Sequence, residues 1–203
     1  MTSLLPRDPH CGMIVGMTSC GKTVFVLDLL EKYYAGHFDY IVIFCPTIQY
    51  NKTYLDRKYV WTDENIFVVN TNGKLNEYLT YFYNLFENEG NTLFLIDDCS
   101  AEKDIVLKRN ILSKLAFSGR HVKISVWLIT QKFNSILKDF REQVKFVCLF
   151  YCKDRDSFDN CLKENDVIES KEERTKLKEQ LKKGKHLKLL LKTDQPTGYK
   201  ILM

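Results

Sequence analysis

The sequence predicts an α/β fold in which a mainly parallel central sheet is flanked by helices and followed by a C-terminal β-hairpin. Short apolar segments typical of buried strands alternate with segments whose apolar residues recur at helical spacing. A glycine-containing segment, GMTSCGKT at 16–23, joins the first predicted strand to the first predicted helix. The 203 residues contain no internal repeat and no linker-like stretch, so we expect a single domain over 1–203.

The strands of the predicted parallel sheet are short, mostly apolar and rich in β-branched residues, as buried strands are. In chain order they are GMIVG (12–16), YIVIFCP (40–46), NIFVV (65–69), NTLFLIDDCS (91–100), KISVWLITQ (123–131) and VKFVCLFYC (144–152). The terminal hairpin is predicted from HLKLLLKT (186–193) and TGYKILM (197–203), with DQP between them in the turn.

The predicted helices lie between these strands and have apolar residues three and four positions apart. In chain order they cover 22–36, 75–90, 101–119, 155–165 and 170–185, with a short helical turn just before the strand at 144–152. We expect the first helix to end at Gly36, because glycine is a common residue at helix C-termini.

The composition is that of an ordinary globular protein, with 45% hydrophobic and 28% charged residues. No apolar run is long enough to span a membrane, and the N-terminal residues lack the layout of a secretory signal. Seven cysteines without a C-x-x-C pair indicate reduced thiols, most of them in the core. We therefore expect an intracellular protein that is neither secreted nor bound to a membrane.

The segment GMTSCGKT fits the pattern G-x-x-x-x-G-K-[ST], which binds nucleotide phosphates when it lies between a strand and a helix. Backbone N–H groups and the positive end of the helix attract the anion. In this pattern the lysine reaches the β- and γ-phosphates and the threonine hydroxyl ligates Mg²⁺. A fortuitous glycine-rich turn is the alternative. The predicted binding residues are Gly16, Met17, Thr18, Ser19, Cys20, Gly21, Lys22, Thr23 and Val24.

Two acids end the predicted strand TLFLIDD, at the edge of the sheet where open α/β folds bind ligands. Asp97 is predicted to hold Mg²⁺ together with Thr23, and Asp98 to act as the general base for an attacking water. The alternative is that both acids cap the following helix.

Two further polar residues are placed around the strand KISVWLIT. Gln131 follows it and is predicted to sense the γ-phosphate or orient the water, although strand-end amides often only satisfy backbone groups. Arg120 precedes it and is predicted to act as an arginine finger toward a neighbouring subunit's nucleotide, with an ordinary surface arginine as the alternative.

Cys20 is also expected to be a reactive thiol, because Lys22 and a helix N-terminus next to it would both lower the pKa of the thiol.

The order of the phosphate loop, LFLIDD, GRHVKIS and LITQ resembles the FtsK–HerA superfamily of P-loop ATPases. Within it, the pattern is most similar to the genome-packaging ATPases of poxvirus-type large DNA viruses, virophages and Polinton (Maverick) transposons. FCPT at 44–47 and FREQVKFVCLFY at 140–151 are similar to parts of the same pattern, so the resemblance covers about residues 10–160.

The resemblance implies a RecA/FtsK-like fold and carries roles onto Lys22, Thr23, Asp97, Asp98, Gln131 and Arg120 as predicted above. Asp98 stands where many relatives in the superfamily carry Glu. The resemblance also implies a homo-oligomeric ring that uses ATP and Mg²⁺ to translocate double-stranded DNA, together with capsid or portal components, at viral assembly sites in the host cytoplasm or nucleus or in the virion.

The charge distribution is consistent with a polyanionic partner. Residues 1–100 hold 7 basic and 12 acidic side chains, whereas 101–203 hold 23 basic and 14 acidic ones, and 171–192 alone hold nine basic and three acidic ones. A solvated helix face would have the same composition. The leading hypothesis is an ATP-driven DNA-packaging translocase. A P-loop nucleotide kinase or phosphotransferase acting on a small molecule is the alternative, and a non-hydrolysing nucleotide-dependent scaffold is a third class.

Overall fold

A computed structural model describes residues 5–99, 111–165, 168, 170–184, 186–193 and 199–202. Its eight strands form one sheet in the order β3-β2-β4-β5-β1-β6-β7-β8. The strands are β1 Cys11–Val15, β2 Tyr40–Phe44, β3 Ile66–Val69, β4 Thr92–Asp97, β5 Ile124–Thr130, β6 Val144–Phe150, β7 Lys188–Lys192 and β8 Tyr199–Leu202. All pairings from β3 to β6 are parallel, and β7 and β8 join as an antiparallel hairpin. The predicted fold class is thereby confirmed.

The helices connect these strands and cover both faces of the sheet. They are α1 Lys22–Lys32, α2 Lys52–Leu55, α3 Lys58–Thr62, α4 Leu75–Phe86, α5 Ile111–Ser118, α6 Lys138–Arg141, α7 Arg155–Glu164 and α8 Lys171–Lys183. Short 3₁₀ helices lie at Ile48–Tyr50, Gly119–Val122 and Phe133–Ser135. Within the ranges given above, no helix is both long and apolar enough to cross a bilayer.

Each face of the sheet has its own hydrophobic core, because successive side chains of a strand point to opposite faces. Along β5, Val126 and Leu128 pack into the core beneath α4 and α5, whereas Trp127 and Ile129 pack into the core beneath α1. All seven residues of β5 are buried. A strand covered on both faces needs a near-continuous apolar sequence, which is why this segment could be predicted.

The first helix is shorter than predicted. It ends at Lys32, and Gly36 adopts its left-handed φ of +66° in the loop beyond. The prediction of an end at Gly36 was wrong because Tyr34 leaves the helix to pack against Trp127, with its ring edge-on at 5.0 Å between centroids. The Tyr34 hydroxyl also donates to the carbonyl of Pro6 at 2.7 Å. These tertiary contacts bury Tyr34 and turn the chain before the glycine.

Two other differences concern connections. The sequence pattern did not indicate α2 and α3, which lie in the loop between β2 and β3. Of the helix predicted over 101–119, the structure describes only α5 and the 3₁₀ turn after it, and the DQP turn at 194–196 also lies outside the described residues.

The strand order determines where polar side chains can meet. Strand β5 lies between β1, which leads into the phosphate loop, and β4, which ends at Asp97. Because parallel strands end at the same edge of a sheet, the phosphate loop, the two acids and Gln131 share one edge. Arg120 precedes β5 and therefore lies at the opposite edge, about 20 Å away over seven residues of strand.

A buried histidine ties the start of β1 to β5. The Nε2 atom of His10 accepts a hydrogen bond from Trp127 Nε1 at 2.9 Å, and its Nδ1 lies 2.7 Å from the carbonyl oxygen of Asp8. The ring must therefore be neutral, with its proton on Nδ1. Burial lowers the pKa of His10 from 6.5 to about 4.

We expect His10 to make the folded protein less stable as the pH falls from 6.5 to about 4. In that range the unfolded chain takes up a proton that the folded imidazole does not, so the free energy of unfolding decreases, by about 2–3 kcal/mol. The pKa of Asp97 is shifted upward by burial and acts in the opposite direction. The measurement is urea unfolding of wild type and His10→Gln at pH 7 and pH 4.5. The Asp97 contribution is common to both proteins and cancels in their comparison. The variant should show the smaller loss of unfolding free energy.

His121→Gln is the matched control, since His121 is exposed. Its pH dependence should follow wild type. If wild type and His10→Gln lost the same free energy of unfolding between the two pH values, the assignment to His10 would be wrong.

Candidate nucleotide-binding site

A cavity with a volume of about 420 Å³ opens at the edge of the sheet where the parallel strands end. It is lined by Thr18, Ser19, Gly21, Lys22, Thr23, Val24, Asn51, Thr53, Asp97, Asp98, Ile129, Thr130, Gln131 and His186. Nine of the predicted site residues are therefore brought together: Thr18, Ser19, Gly21, Lys22, Thr23 and Val24 of the phosphate loop, both acids and the glutamine.

The predicted phosphate loop joins β1 to α1, as its sequence predicts. Ser19 and Gly21 both have positive φ, at 59° and 98°, and Gly21 directly precedes α1. The first intrahelical bond runs from the N–H of Phe25 to the carbonyl of Gly21, at 2.9 Å. The N–H groups of Lys22, Thr23 and Val24 thus have no acceptor within the helix and are available to an anion in the cavity.

Lys22 folds back onto its own loop. Its Nζ atom donates to the carbonyl oxygens of Gly16 and Met17, at 2.8 Å each. These bonds hold the ammonium group beside the cavity and link the end of the loop to its beginning. A phosphate has a higher charge than a carbonyl oxygen, so we expect it to compete for the same ammonium group.

Three residues of the predicted phosphate-binding segment do not line the cavity. The N–H groups of Gly16 and Met17 instead donate to the carbonyls of Thr130 and Tyr151, at 3.2 and 3.1 Å. A Cβ atom on Gly16 would lie 2.5 Å from Cβ of Phe150, so the packing of β6 requires a glycine there. The third, Cys20, is 1% exposed. We therefore expect slow alkylation of Cys20, the opposite of the expectation from sequence.

Asp97 is buried between two hydroxyl groups. Its Oδ2 atom accepts from Thr23 Oγ1 at 2.9 Å and from Tyr54 OH at 2.8 Å. Burial raises the pKa of this carboxyl group, and the two hydrogen bonds oppose the rise by stabilising the carboxylate. The pKa of the Tyr54 hydroxyl is raised by burial and by Asp97, which keeps the hydroxyl protonated and able to donate.

Asp98 is exposed to the cavity and has a strained backbone. Its φ of 56° lies in the left-handed region, which is uncommon for a residue other than glycine. Residues held in this conformation cluster at functional sites. Its Oδ2 atom accepts a hydrogen bond of 3.2 Å from Thr47 Oγ1. The start of the helix predicted over 101–119, which the two acids were alternatively expected to cap, lies outside the described residues.

Gln131 and Arg120 differ in position. Gln131 is exposed and lines the cavity beside the acids, as predicted. Arg120 is exposed at the other edge of the sheet and does not line this cavity. A role for Arg120 in hydrolysis therefore requires a second subunit.

The β2–β3 loop and the C-terminal segment add residues to the site that could not be predicted from the sequence. Thr47 and Tyr54 contact the acids, and Asn51 and Thr53 line the cavity. His186 approaches the phosphate loop from beyond α8, with Nδ1 3.1 Å from the carbonyl oxygen of Cys20. FCPT at 44–47 was the only signal for this loop, and nothing in the sequence pointed to His186.

The donor atoms in the cavity fit Mg²⁺ better than a transition metal. Thr23 and Asp97 offer a hydroxyl and a carboxylate 2.9 Å apart beside the phosphate loop. Among the residues the structure describes, no cluster of three or more His, Cys, Asp or Glu side chains could hold a metal by itself. Such a partial oxygen set suits Mg²⁺, which takes one or two protein oxygens and completes its shell with phosphate and water.

Comparisons with known proteins give the chain a family and structural relatives. The family model described as poxvirus A32 protein matches residues 2–191. No protein with a curated description matches the chain.

Among solved structures, the genome-packaging NTPase B204 of Sulfolobus turreted icosahedral virus 2, in complex with AMPPCP, has a TM-score of 0.71 at 15% identity, covering 98% of this chain and 99% of that one. The pCW3 conjugation coupling protein TcpA has a TM-score of 0.59 at 13% identity, covering 97% of this chain and 60% of its own. EssC from Geobacillus thermodenitrificans has a TM-score of 0.56 at 15% identity, covering 76% and 34%.

The likeness to these solved structures lies in the fold, whereas the family match extends over nearly the whole sequence. The resemblance to poxvirus-type packaging ATPases that was stated from the motifs is thereby confirmed. The chain belongs to the poxvirus A32 protein family.

Proposed function

We propose that this protein is an ATPase that drives double-stranded DNA into a viral capsid. The observation that carries the proposal is the convergence of Lys22, Thr23, Asp97, Asp98 and Gln131 on one cavity. The protein also shares its fold, over 98% of its length, with an NTPase described as packaging a viral genome. Finally, it belongs to a poxvirus protein family.

In this proposal the residues act on ATP in four ways. The N–H groups at the start of α1 and the Lys22 ammonium bind the β- and γ-phosphates. Thr23 and Asp97 would hold Mg²⁺, which neutralises developing charge on the phosphates when it is bound. Asp98 accepts the proton of the attacking water, and Gln131 orients that water.

The alternative of a nucleotide kinase finds no support in the lining of the cavity. A kinase transferring phosphate to a small molecule is expected to surround the nucleotide with arginines. In the part of the chain that the structure describes, the lining of this cavity includes lysine and histidine but no arginine. The geometry thus favours water as the acceptor.

The position of Arg120 favours a homo-oligomeric ring. An exposed guanidinium about 20 Å from the cavity of its own subunit can stabilise transition-state charge only on a neighbour's nucleotide. A head-to-tail ring would place one sheet edge of each subunit against the opposite edge of the next. We further propose that the ring works with capsid or portal components at viral assembly sites inside the host cell.

Helix α8 is the surface we assign to DNA. Lys171, Lys176, Lys182 and Lys183 are exposed on it, whereas Arg174, Leu177 and Leu181 are buried against the domain. Lys178 is less accessible, since its Nζ atom lies over the ring of Phe158 at 5.2 Å. Lys185 lies outside the described residues. The exposed lysines would contact phosphates without reading sequence.

We expect duplex DNA to raise the ATPase rate and the change Lys176→Ala, Lys182→Ala, Lys183→Ala to weaken DNA binding for every sequence. Each lost phosphate contact makes the negative slope of log K against log salt shallower by about 0.9, so the magnitude of the slope should fall by about 2–3. Binding titrations at several salt concentrations measure this slope, and the ATPase rate without DNA should not change.

The matched control replaces Lys32, Lys74 and Lys138, which are exposed and carry the same total charge. It should retain the wild-type salt slope. Equal slopes for the two triple variants would move the DNA contacts away from α8. An ATPase rate that is indifferent to duplex DNA would contradict the proposed function itself.

A further inference from the structure

One carboxylate oxygen in the candidate site is shared by two donors from different parts of the chain. Asp97 Oδ2 accepts from Thr23 of the phosphate loop and from Tyr54 of α2, at 2.9 and 2.8 Å. Tyr54 is completely buried, so its hydroxyl has no access to water. A hydroxyl buried beside a carboxylate must be paired, because leaving either group unsatisfied costs about 1–3 kcal/mol.

The surroundings of Tyr54 hold it rigidly. Trp61 Nε1 donates to its backbone carbonyl at 2.9 Å. Arg57, three residues after Tyr54, forms ion pairs with Glu31 and Asp28, and its Nη2 atom lies 2.7 Å from Asp28 Oδ1. Both acids belong to α1, the helix that begins with Lys22 and Thr23. The loop that carries Tyr54 is thus fastened to the same helix that carries the phosphate-binding residues.

We propose that Tyr54 is a positioning residue for the metal-binding carboxylate. Its hydroxyl shares Oδ2 of Asp97 with Thr23 and thereby sets the rotation of the carboxylate that would hold Mg²⁺. This inference rests on the proposed function of the site. Residues that hold a metal ligand in place typically change metal affinity by 10–100-fold when they are removed.

The chain offers a closely matched pair of variants for the test. Tyr54→Phe removes the hydroxyl that contacts Asp97 and keeps the ring that fills the core. Tyr59→Phe removes a hydroxyl five residues away that is also buried but has no hydrogen-bond partner. The two substitutions change the same atoms, and only the first reaches the site.

Affinity for a fluorescent ATP analogue is measured in EDTA and across a Mg²⁺ titration. We expect Tyr54→Phe to retain the affinity seen in EDTA and to need at least 10-fold more Mg²⁺ for half of the Mg²⁺-dependent gain. Tyr59→Phe should match wild type in both. A half-saturating Mg²⁺ concentration within twofold of wild type for a folded Tyr54→Phe would overturn the proposal.

If Tyr54→Phe fails to fold, Trp61→Phe decides the question. Trp61 is 43% exposed, so its replacement should be tolerated, and it removes the donor to the Tyr54 carbonyl. A shift of at least twofold in half-saturating Mg²⁺ supports the proposal, and no shift overturns it. A wild-type protein whose ATP affinity ignores Mg²⁺ would instead refute the metal site. Failure of DNA to stimulate hydrolysis would refute the packaging function alone.

Discussion

Lys22→Ala is expected to lower ATP affinity by about two to three orders of magnitude and to abolish measurable hydrolysis. In the proposed binding mode the substitution removes an ammonium group that would contact two phosphates, and each charge-assisted hydrogen bond contributes about 1.5–3 kcal/mol. It also removes the bonds from Nζ to the carbonyls of Gly16 and Met17. Those bonds lie within one loop, so the fold should lose only about 1–2 kcal/mol of stability. ATP titration and thermal unfolding of the same sample separate the two effects.

Lys32→Ala is the control for Lys22→Ala, because Lys32 ends the same helix and its side chain is 66% exposed, 3.7 Å from Asp28. An exposed ion pair of this kind contributes little, so the control should bind ATP like wild type. Hydrolysis by Lys22→Ala at a rate near that of the control would show that the cavity is not the active site.

Asp98→Asn is expected to retain ATP binding and to hydrolyse about 100–10,000 times more slowly, the loss that follows removal of a general base. Asparagine suits this position because it tolerates the left-handed φ of 56° that alanine would strain. It also keeps an oxygen that can accept from Thr47. The variant therefore removes the base without disturbing the backbone, and single-turnover hydrolysis compared with ATP affinity measures the difference.

Asp97→Ala should instead weaken Mg²⁺-dependent ATP binding, because it removes the carboxylate that is proposed to hold Mg²⁺ and that Thr23 and Tyr54 contact. If both variants bound Mg·ATP and hydrolysed it normally, the acids would have no catalytic role.

In a ring, Asp98→Asn subunits mixed with Arg120→Ala subunits should recover activity, since some interfaces then join an intact acid to an intact arginine. Mixed rings as inactive as either parent would rule out Arg120 as a finger.

The sequence by itself determined the fold class and predicted five polar residues that line the candidate cavity. Buried parallel strands such as β4 and β5 need apolar side chains on both faces, which leaves a clear signal. The signal of the phosphate loop is equally local, because its glycines and its lysine lie within eight consecutive residues. Gln131 and the acids could be placed at one edge because each directly follows a strand.

Only the tertiary structure decided the elements that depend on contacts distant in sequence. The end of α1 moved to Lys32 because Tyr34 packs on Trp127, some ninety residues away. Cys20, which has the sequence context of a reactive thiol, is buried, and Gly16 is required by the packing of Phe150 rather than by a phosphate.

The same limit explains the residues that were missed at the site. Tyr54 and His186 reach it from α2 and from beyond α8, and neither belongs to a sequence pattern that foretells its partner. The opposite positions of Arg120 and Gln131 follow from the direction of β5, so the sequence could already predict that Arg120 would act only toward a neighbouring subunit, and the cavity lies at the sheet edge that this prediction requires. Periodicity and short motifs record local constraints, whereas a hydrogen bond such as that from Tyr54 to Asp97 exists only once the chain has folded.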